Sequence, residues 1–218
     1  MLVFATSAPA MAGFFFPCPW LTMKLLVGLG NPGKKYERTR HNAGYWWTEK
    51  VAHEAKAAFR ADAKFFGRVA KVSHPADIWL LMPDTYMNNS GRAVSAVSTF
   101  FKIEPREILV AHDELDLTPG VARLKFGGGT SGHNGLKDIA ESIGSKDFWR
   151  LRLGIGHPRD TASEQEVVDY VLHPPRLEEQ PLIDDAIARA LQVWPLVAED
   201  KYEAAMLRLH TKAANAEE

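Results

Sequence analysis

Five residues could do chemistry together: His41, Asp113 and the asparagines Asn31, Asn88 and Asn134. A histidine titrates near neutral pH and can take a proton from a reacting water. An acid beside it fixes the ring tautomer and stabilises the imidazolium formed on proton uptake. Each asparagine offers two N–H donors and one carbonyl acceptor, which suits binding a peptide or ester carbonyl and supporting an oxyanion. Plainer readings stand beside these. His41, in Arg40-His41-Asn42, is also placed to hydrogen-bond the start of a helix. Asp113 could cap a turn, and an asparagine near glycine often only serves a turn. Asp113 sits at the mouth of a very apolar strand, however, where a buried carboxylate needs a partner.

The same residues fall in four polar cassettes, each just after an apolar, strand-like run. Residues 25–29 lead into Gly30-Asn31-Pro32-Gly33, and 78–82 toward Met87-Asn88-Asn89-Ser90-Gly91. Residues 108–111 lead into His112-Asp113-Glu114-Leu115-Asp116, and 121–126 into the glycine-rich stretch 127–135, which contains His133-Asn134. Open α/β sheets bind ligands outside the carboxyl ends of their strands, so strands running the same way put all four cassettes on one rim.

The elements behind that rim follow from periodicity. Trp47, Val51, Ala55 and Phe59 recur every four residues and predict a helix over 42–59. Further helices are expected at 90–101 and at 135–143, the latter ending at Gly144. Strands are expected at 65–72, 78–82, 107–111, 121–126 and 149–155. Beyond His157-Pro158 the pattern turns helical: 165–171, then 178–199 with Pro195 as a kink candidate, continuing into 204–209. The expectation is one α/β domain over 23–212 with a helical C-terminal section and a frayed tail over 213–218.

Residues 1–22 carry no charge, contain three prolines and precede the first convincing strand. They read as a dispensable extension or an upstream start; a targeting signal is the weaker alternative, because no positive stretch opens it. The single cysteine, Cys18, excludes an internal disulfide framework and zinc-finger spacing, and a reducing cytosol is the simplest compartment. The net charge of −1 hides an asymmetry. Residues 23–159 hold 21 Lys and Arg against 14 Asp and Glu, whereas 160–218 hold 5 against 13. A basic body suits a polyanionic partner.

Several chemistries fit poorly. Gly28-Leu29-Gly30-Asn31-Pro32-Gly33 matches G-x-G-x-x-G after a strand, but Pro32 and the polar run after it favour a loop, and no acid ends the next strand to bind a ribose. Asp113, Glu114 and Asp116 suggest magnesium, yet neighbouring strand residues point to opposite faces. There is no H-E-x-x-H and no G-x-S-x-G elbow. Water remains as the attacking group, with no metal and no cofactor required. Gly127-Gly128-Gly129 either cradles phosphate, with Arg123, Lys125, Lys137, Arg150 and Arg152 adding charge, or is a flexible turn among surface cations.

Taken together, Gly28–Gly33, Tyr36, Thr39-Arg40-His41-Asn42-Ala43-Gly44, Thr85-Tyr86-Met87-Asn88, His112–Asp116, Gly132-His133-Asn134-Gly135 and Arg152–Pro158 resemble bacterial-type peptidyl-tRNA hydrolase, over roughly residues 23–210. The resemblance implies a monomeric, cytoplasmic α/β domain whose mixed twisted sheet is flanked by helices on both faces. It implies hydrolysis of the ester between a peptide, or another N-blocked aminoacyl group, and tRNA, without a membrane or an obligate protein partner. It implies His41 as general base, Asp113 as its support, and Asn31 as the residue that tells blocked from free aminoacyl groups. Tyr36, Tyr86, Asn88 and Asn134 would contact substrate, and Lys125 and Arg152 the tRNA end phosphate. A catalytically inactive RNA-binding protein on the same scaffold and an NAD-dependent oxidoreductase are the competing accounts.

Overall fold

Apolar runs form the middle of the sheet. β1 (Leu25–Gly28), β4 (Ile78–Pro83) and β5 (Ile108–Glu114) are almost wholly buried, as parallel strands covered on both faces must be. The structure, a computed structural model, describes residues 23–160 and 165–214; the extension expected over 1–22 lies outside the described residues. With β2 (Arg60–Asp62), β3 (Gly67–Val72), β6 (Ala122–Phe126) and β7 (Trp149–Gly154), these strands make one seven-stranded sheet in the order β2-β3-β4-β1-β5-β7-β6. β4, β1, β5 and β7 run parallel; β2 is antiparallel to β3, β3 to β4, and β6 to β7.

Strand alternation sorts the core into two layers. Leu26, Leu109, Ala111, Leu124, Leu151 and Leu153 face α1 (Ala43–Glu54), α5 (Glu179–Ala198) and α6 (Tyr202–Ala214), where they meet Trp47, Val51, Ile187, Trp194 and Leu209. Leu25, Val27, Ile108 and Val110 face α2 (Ser90–Phe101) and α3 (Asn134–Ile143), packing on Val94, Val97, Leu136 and Ile139. A five-residue helix, α4 (Val167–Val171), precedes α5. No helix among the described residues is long and apolar enough to cross a membrane.

The expected helix over 42–59 stops at Glu54. Lys56 takes φ +52°, and Ala57 N–H bonds the Ala52 carbonyl, closing the helix with a left-handed cap. The pattern likewise missed β2, and the strand expected from 65 starts at Gly67, after a 3₁₀ turn and the left-handed Phe66. α5 runs through Pro195, but Asp200 at φ +58° separates it from α6, so 204–209 belongs to a distinct helix. The strand expected over 107–111 continues to Glu114, which puts Asp113 inside the sheet.

The single-rim expectation holds for three cassettes. β6 runs against β7, and Phe126 pairs with Trp149 at the amino end of that strand. The fourth cassette therefore starts at the opposite edge, and residues 127–133 run back to the rim.

Candidate active site

Two close approaches bring the helix starts onto the strand ends. A Cβ on Gly44 would lie 2.2 Å from the Ala111 carbonyl, so only glycine lets α1 begin directly against β5. Its 3₁₀ lead-in, Arg40–Asn42, sets His41 over Asp113. A Cβ on Gly135 would lie 2.5 Å from Met87 Sδ, so α3 starts against the turn that carries Asn88.

Asp113 is buried, and its Oδ1 accepts two imidazole N–H bonds: from His41 Nδ1 at 2.9 Å and from His133 Nε2 at 3.0 Å. The first bond puts the proton of neutral His41 on Nδ1 and leaves Nε2 with a free lone pair. His133 caps α3, with Nδ1 accepting loosely from Leu136 N–H at 3.4 Å, which suits the same ring donating through Nε2. Burial lowers the His41 pKa, but the charge and hydrogen bond of Asp113 raise it more, and the net value lies above the ordinary 6.5. Burial pushes Asp113 up, yet the two histidines hold it well below the usual carboxylate range. His112, fully buried beside His133, donates from Nδ1 to the Asp113 carbonyl at 2.7 Å. Burial above all takes its pKa down to about 3, so it stays neutral.

Asn31 is held on both sides. Its N–H donates to Asn42 Oδ1 at 2.8 Å, Asn42 Nδ2 donates back to its carbonyl at 3.1 Å, and its own Oδ1 accepts from Met87 N–H at 2.8 Å. With the carbonyl end so engaged, the NH₂ end is the part left for a ligand.

Seven of the nine expected site residues line one cavity of about 380 Å³: Asn31, Tyr36, His41, Tyr86, Asn88, Asp113 and Asn134. Tyr36 and Tyr86 meet edge to face at 6.3 Å at its mouth, with Tyr86 61% exposed. Opposite the polar side stand Val167, Val168, Val171 and Leu172. Lys125 and Arg152 lie outside the cavity, on the β6–β7 pair. Arg123 is opposite Arg152 and Lys125 opposite Arg150, so the four cations share one sheet face. Lys125 is exposed. Arg152 is engaged, donating from Nε to Glu114 Oε2 at 2.8 Å, and Glu114 also lines the cavity. Buried Arg150 pins the glycine loop by donating to the Gly127 carbonyl and, at 2.5 Å, to that of Gly129.

Sequence reasoning gave no role to His133, Glu114, Arg40 or α4. His133 adjoins Asn134, and that adjacency was the available signal. Arg40 is buried; its Nη1 donates to the carbonyls of Tyr170, His173 and Pro174, and its Nη2 meets Glu179 Oε2 at 2.5 Å. The residue next to His41 thus holds the α4 wall of the cleft. Breaking a buried ion pair from one side costs about 3–5 kcal/mol. The donor atoms of His41, Asp113 and His133 lie within 4.8 Å of one another, a spacing that could also hold a metal ion. A larger groove of about 940 Å³ beside α1 contains neither His41 nor Asp113.

A histidine–aspartate pair facing free amides at the carboxyl ends of parallel strands is the outfit of a hydrolase that uses water as nucleophile. Comparison with known proteins makes the assignment specific. The peptidyl-tRNA hydrolase family profile matches residues 25–217. Peptidyl-tRNA hydrolase of Nitrosospira multiformis is 56% identical over 191 residues, 87% of this chain and 98% of that protein. The Nitrosomonas europaea protein of the same name is 55% identical over 196 residues, 89% of this chain and 99% of its own. The crystal structure of peptidyl-tRNA hydrolase from Acinetobacter baumannii superposes with a TM-score of 0.81 at 45% identity, covering 86% of this chain and 94% of that one. The chain belongs to the peptidyl-tRNA hydrolase family.

Proposed function

We propose that this chain hydrolyses the ester joining a peptide, or another N-blocked aminoacyl group, to tRNA, with His41 as general base and water as nucleophile. The observation that carries the reading is the His41 Nδ1–Asp113 Oδ1 bond at 2.9 Å, which leaves a basic ring nitrogen in the cavity that Asn31, Asn88 and Asn134 also line. His41 Nε2 takes a proton as the water oxygen bonds to the ester carbon. The carbonyl electrons move onto oxygen, where asparagine N–H groups stabilise them. The intermediate collapses, the carbon–oxygen bond to the ribose breaks, and the imidazolium returns its proton to the departing ribose oxygen. The products are a free peptide carboxylate and a recyclable tRNA.

Asn31 reads the blocked nitrogen. Its NH₂ end meets the carbonyl of an acyl group as donor to acceptor; a free α-ammonium offers only donors and finds no partner there. Asn88 and Asn134 bind main-chain groups without reading side chains, and Tyr36 and Tyr86 flank the terminal nucleoside. Lys125 and Arg152 grip phosphate beyond the cavity. The setting this implies is a cytosolic monomer. The test is cleavage of an N-acetylaminoacyl-tRNA. Wild type cleaves it, and His41→Ala loses about 10²–10⁴-fold in rate while still binding the RNA. Equal rates reject His41 as the base, and an inert wild type favours the RNA-binding alternative.

A further inference from the structure

The cavity around His41, at about 380 Å³, has room for the ester and the residues nearest it, so a longer peptide has to leave it. The β6–β7 cations mark one side for RNA. Asn88 and Asn89 are consecutive: Asn88 lines the cavity, and Asn89 lines a separate groove of about 730 Å³ along the outer face of α2. Arg92, Ala96, Thr99 and Phe100 continue from Asn89 at three- and four-residue spacing, one stripe of the helix.

Two features of this groove leave binding capacity open to a ligand, although Phe100 also packs on Phe65 and Phe101. Phe100 is 53% exposed. The side chains of Lys64 and Arg92 form no ion pair among the described residues; instead Lys64 Nζ lies 3.3 Å over the Phe100 ring and Arg92 Cζ 3.8 Å over Phe66.

We propose that this groove is an extended subsite for the N-terminal part of the peptidyl group. The proposal rests on the ester being placed at His41. Along α2 the stripe from Asn89 to Phe100 measures about 16 Å, which holds about five extended residues. Asn89, Ser95 and Thr99 offer hydrogen bonds to any main chain. Phe100 takes an apolar or aromatic side chain. The two cations favour carbonyl oxygens and acidic side chains and oppose lysine and arginine, so the subsite selects by length and charge.

The experiment compares two substrates: an N-acetylaminoacyl-tRNA, and a tRNA carrying an N-acetylated six-residue peptide made in an acidic and a basic version. Wild type should have a lower KM for the acidic peptide than for the basic one. In the double variant Arg92→Glu, Phe100→Ser, KM for the acidic six-residue substrate should rise about tenfold and the charge preference should reverse, while the short substrate stays within about twofold. The short substrate thereby checks that the variant is folded. An unchanged KM for the long substrate, equal losses on both, or no charge preference in wild type overturns the proposal. Normal cleavage of both substrates by His41→Ala instead rejects the reading of the cleft, and the subsite with it.

Discussion

Replacing Asp113 by asparagine keeps the side chain's shape and removes its charge. In the resting enzyme Oδ1 accepts from His41 at 2.9 Å and from His133 at 3.0 Å. In the proposed mechanism His41 takes the water's proton, and carboxylate and imidazolium become an ion pair. With charge centres about 4 Å apart and an effective dielectric constant near 20, their attraction is about 4 kcal/mol. An amide oxygen in the same place keeps a neutral hydrogen bond worth about 1 kcal/mol. The difference, about 3 kcal/mol, corresponds to a loss of about 10²-fold in kcat/KM. If the amide instead turns its NH₂ toward His41, the ring has to put its proton on Nε2, and the loss is larger. The pH profile adds a signed test. Burial lowers the His41 pKa, whereas the Asp113 charge and hydrogen bond raise it to a net value above 6.5. A base works unprotonated, so activity falls as pH drops through that value and is level above it. In Asp113→Asn only the downward push of burial remains, so the acidic limb should move to lower pH while the plateau falls. Measuring kcat/KM on N-acetylaminoacyl-tRNA from about pH 5 to pH 9 decides the matter. A plateau within about tenfold of wild type, or an acidic limb that moves up, refutes the electrostatic account.

Asn31→Asp keeps the acceptor for Met87 N–H and replaces the free donor with an acceptor. Cleavage of N-acetylaminoacyl-tRNA should fall about tenfold or more relative to free aminoacyl-tRNA, read as the ratio of the two kcat/KM values. Lys125→Ala should make the slope of log binding constant against log salt shallower by about one phosphate contact, measured by tRNA titration. Glu114→Gln removes the carboxylate that holds Arg152 and should tighten tRNA binding at low salt; unchanged affinity would separate Arg152 from the RNA. Prolonged dialysis against a chelator should leave turnover intact, because each proposed step uses only water and side chains; loss restored by a divalent ion would assign His41, Asp113 and His133 to a metal instead.

Much of the fold could be read from where apolar residues recur, because β1, β4 and β5 are buried on both faces and so carry unbroken apolar runs. Chain reversals were harder. Lys56, Lys102 and Asp200 each end a helix in a left-handed conformation that glycine usually supplies. Only Lys102 had a proline close behind it, Pro105, to reveal the stop. The direction of β6 was equally hidden, since alternation reports which face a residue occupies and not which way its strand runs.

The same distinction separates the parts of the site that local sequence reveals from those it conceals. His41 and Asp113 lie 72 positions apart, and what joins them in the sequence is only that a carboxylate inside an apolar strand must find a donor. One donor satisfies that need, so nothing in the sequence called for His133, which reaches the same oxygen from a loop that begins at the far edge of the sheet. Arg152 shows the converse. Its charge and strand position fit an exposed phosphate grip, but cross-strand register sets it opposite His112, where its guanidinium reaches the diagonal neighbour Glu114. Whether it meets RNA then depends on a competition between a buried carboxylate and a phosphate, and the Glu114→Gln titration measures that competition directly.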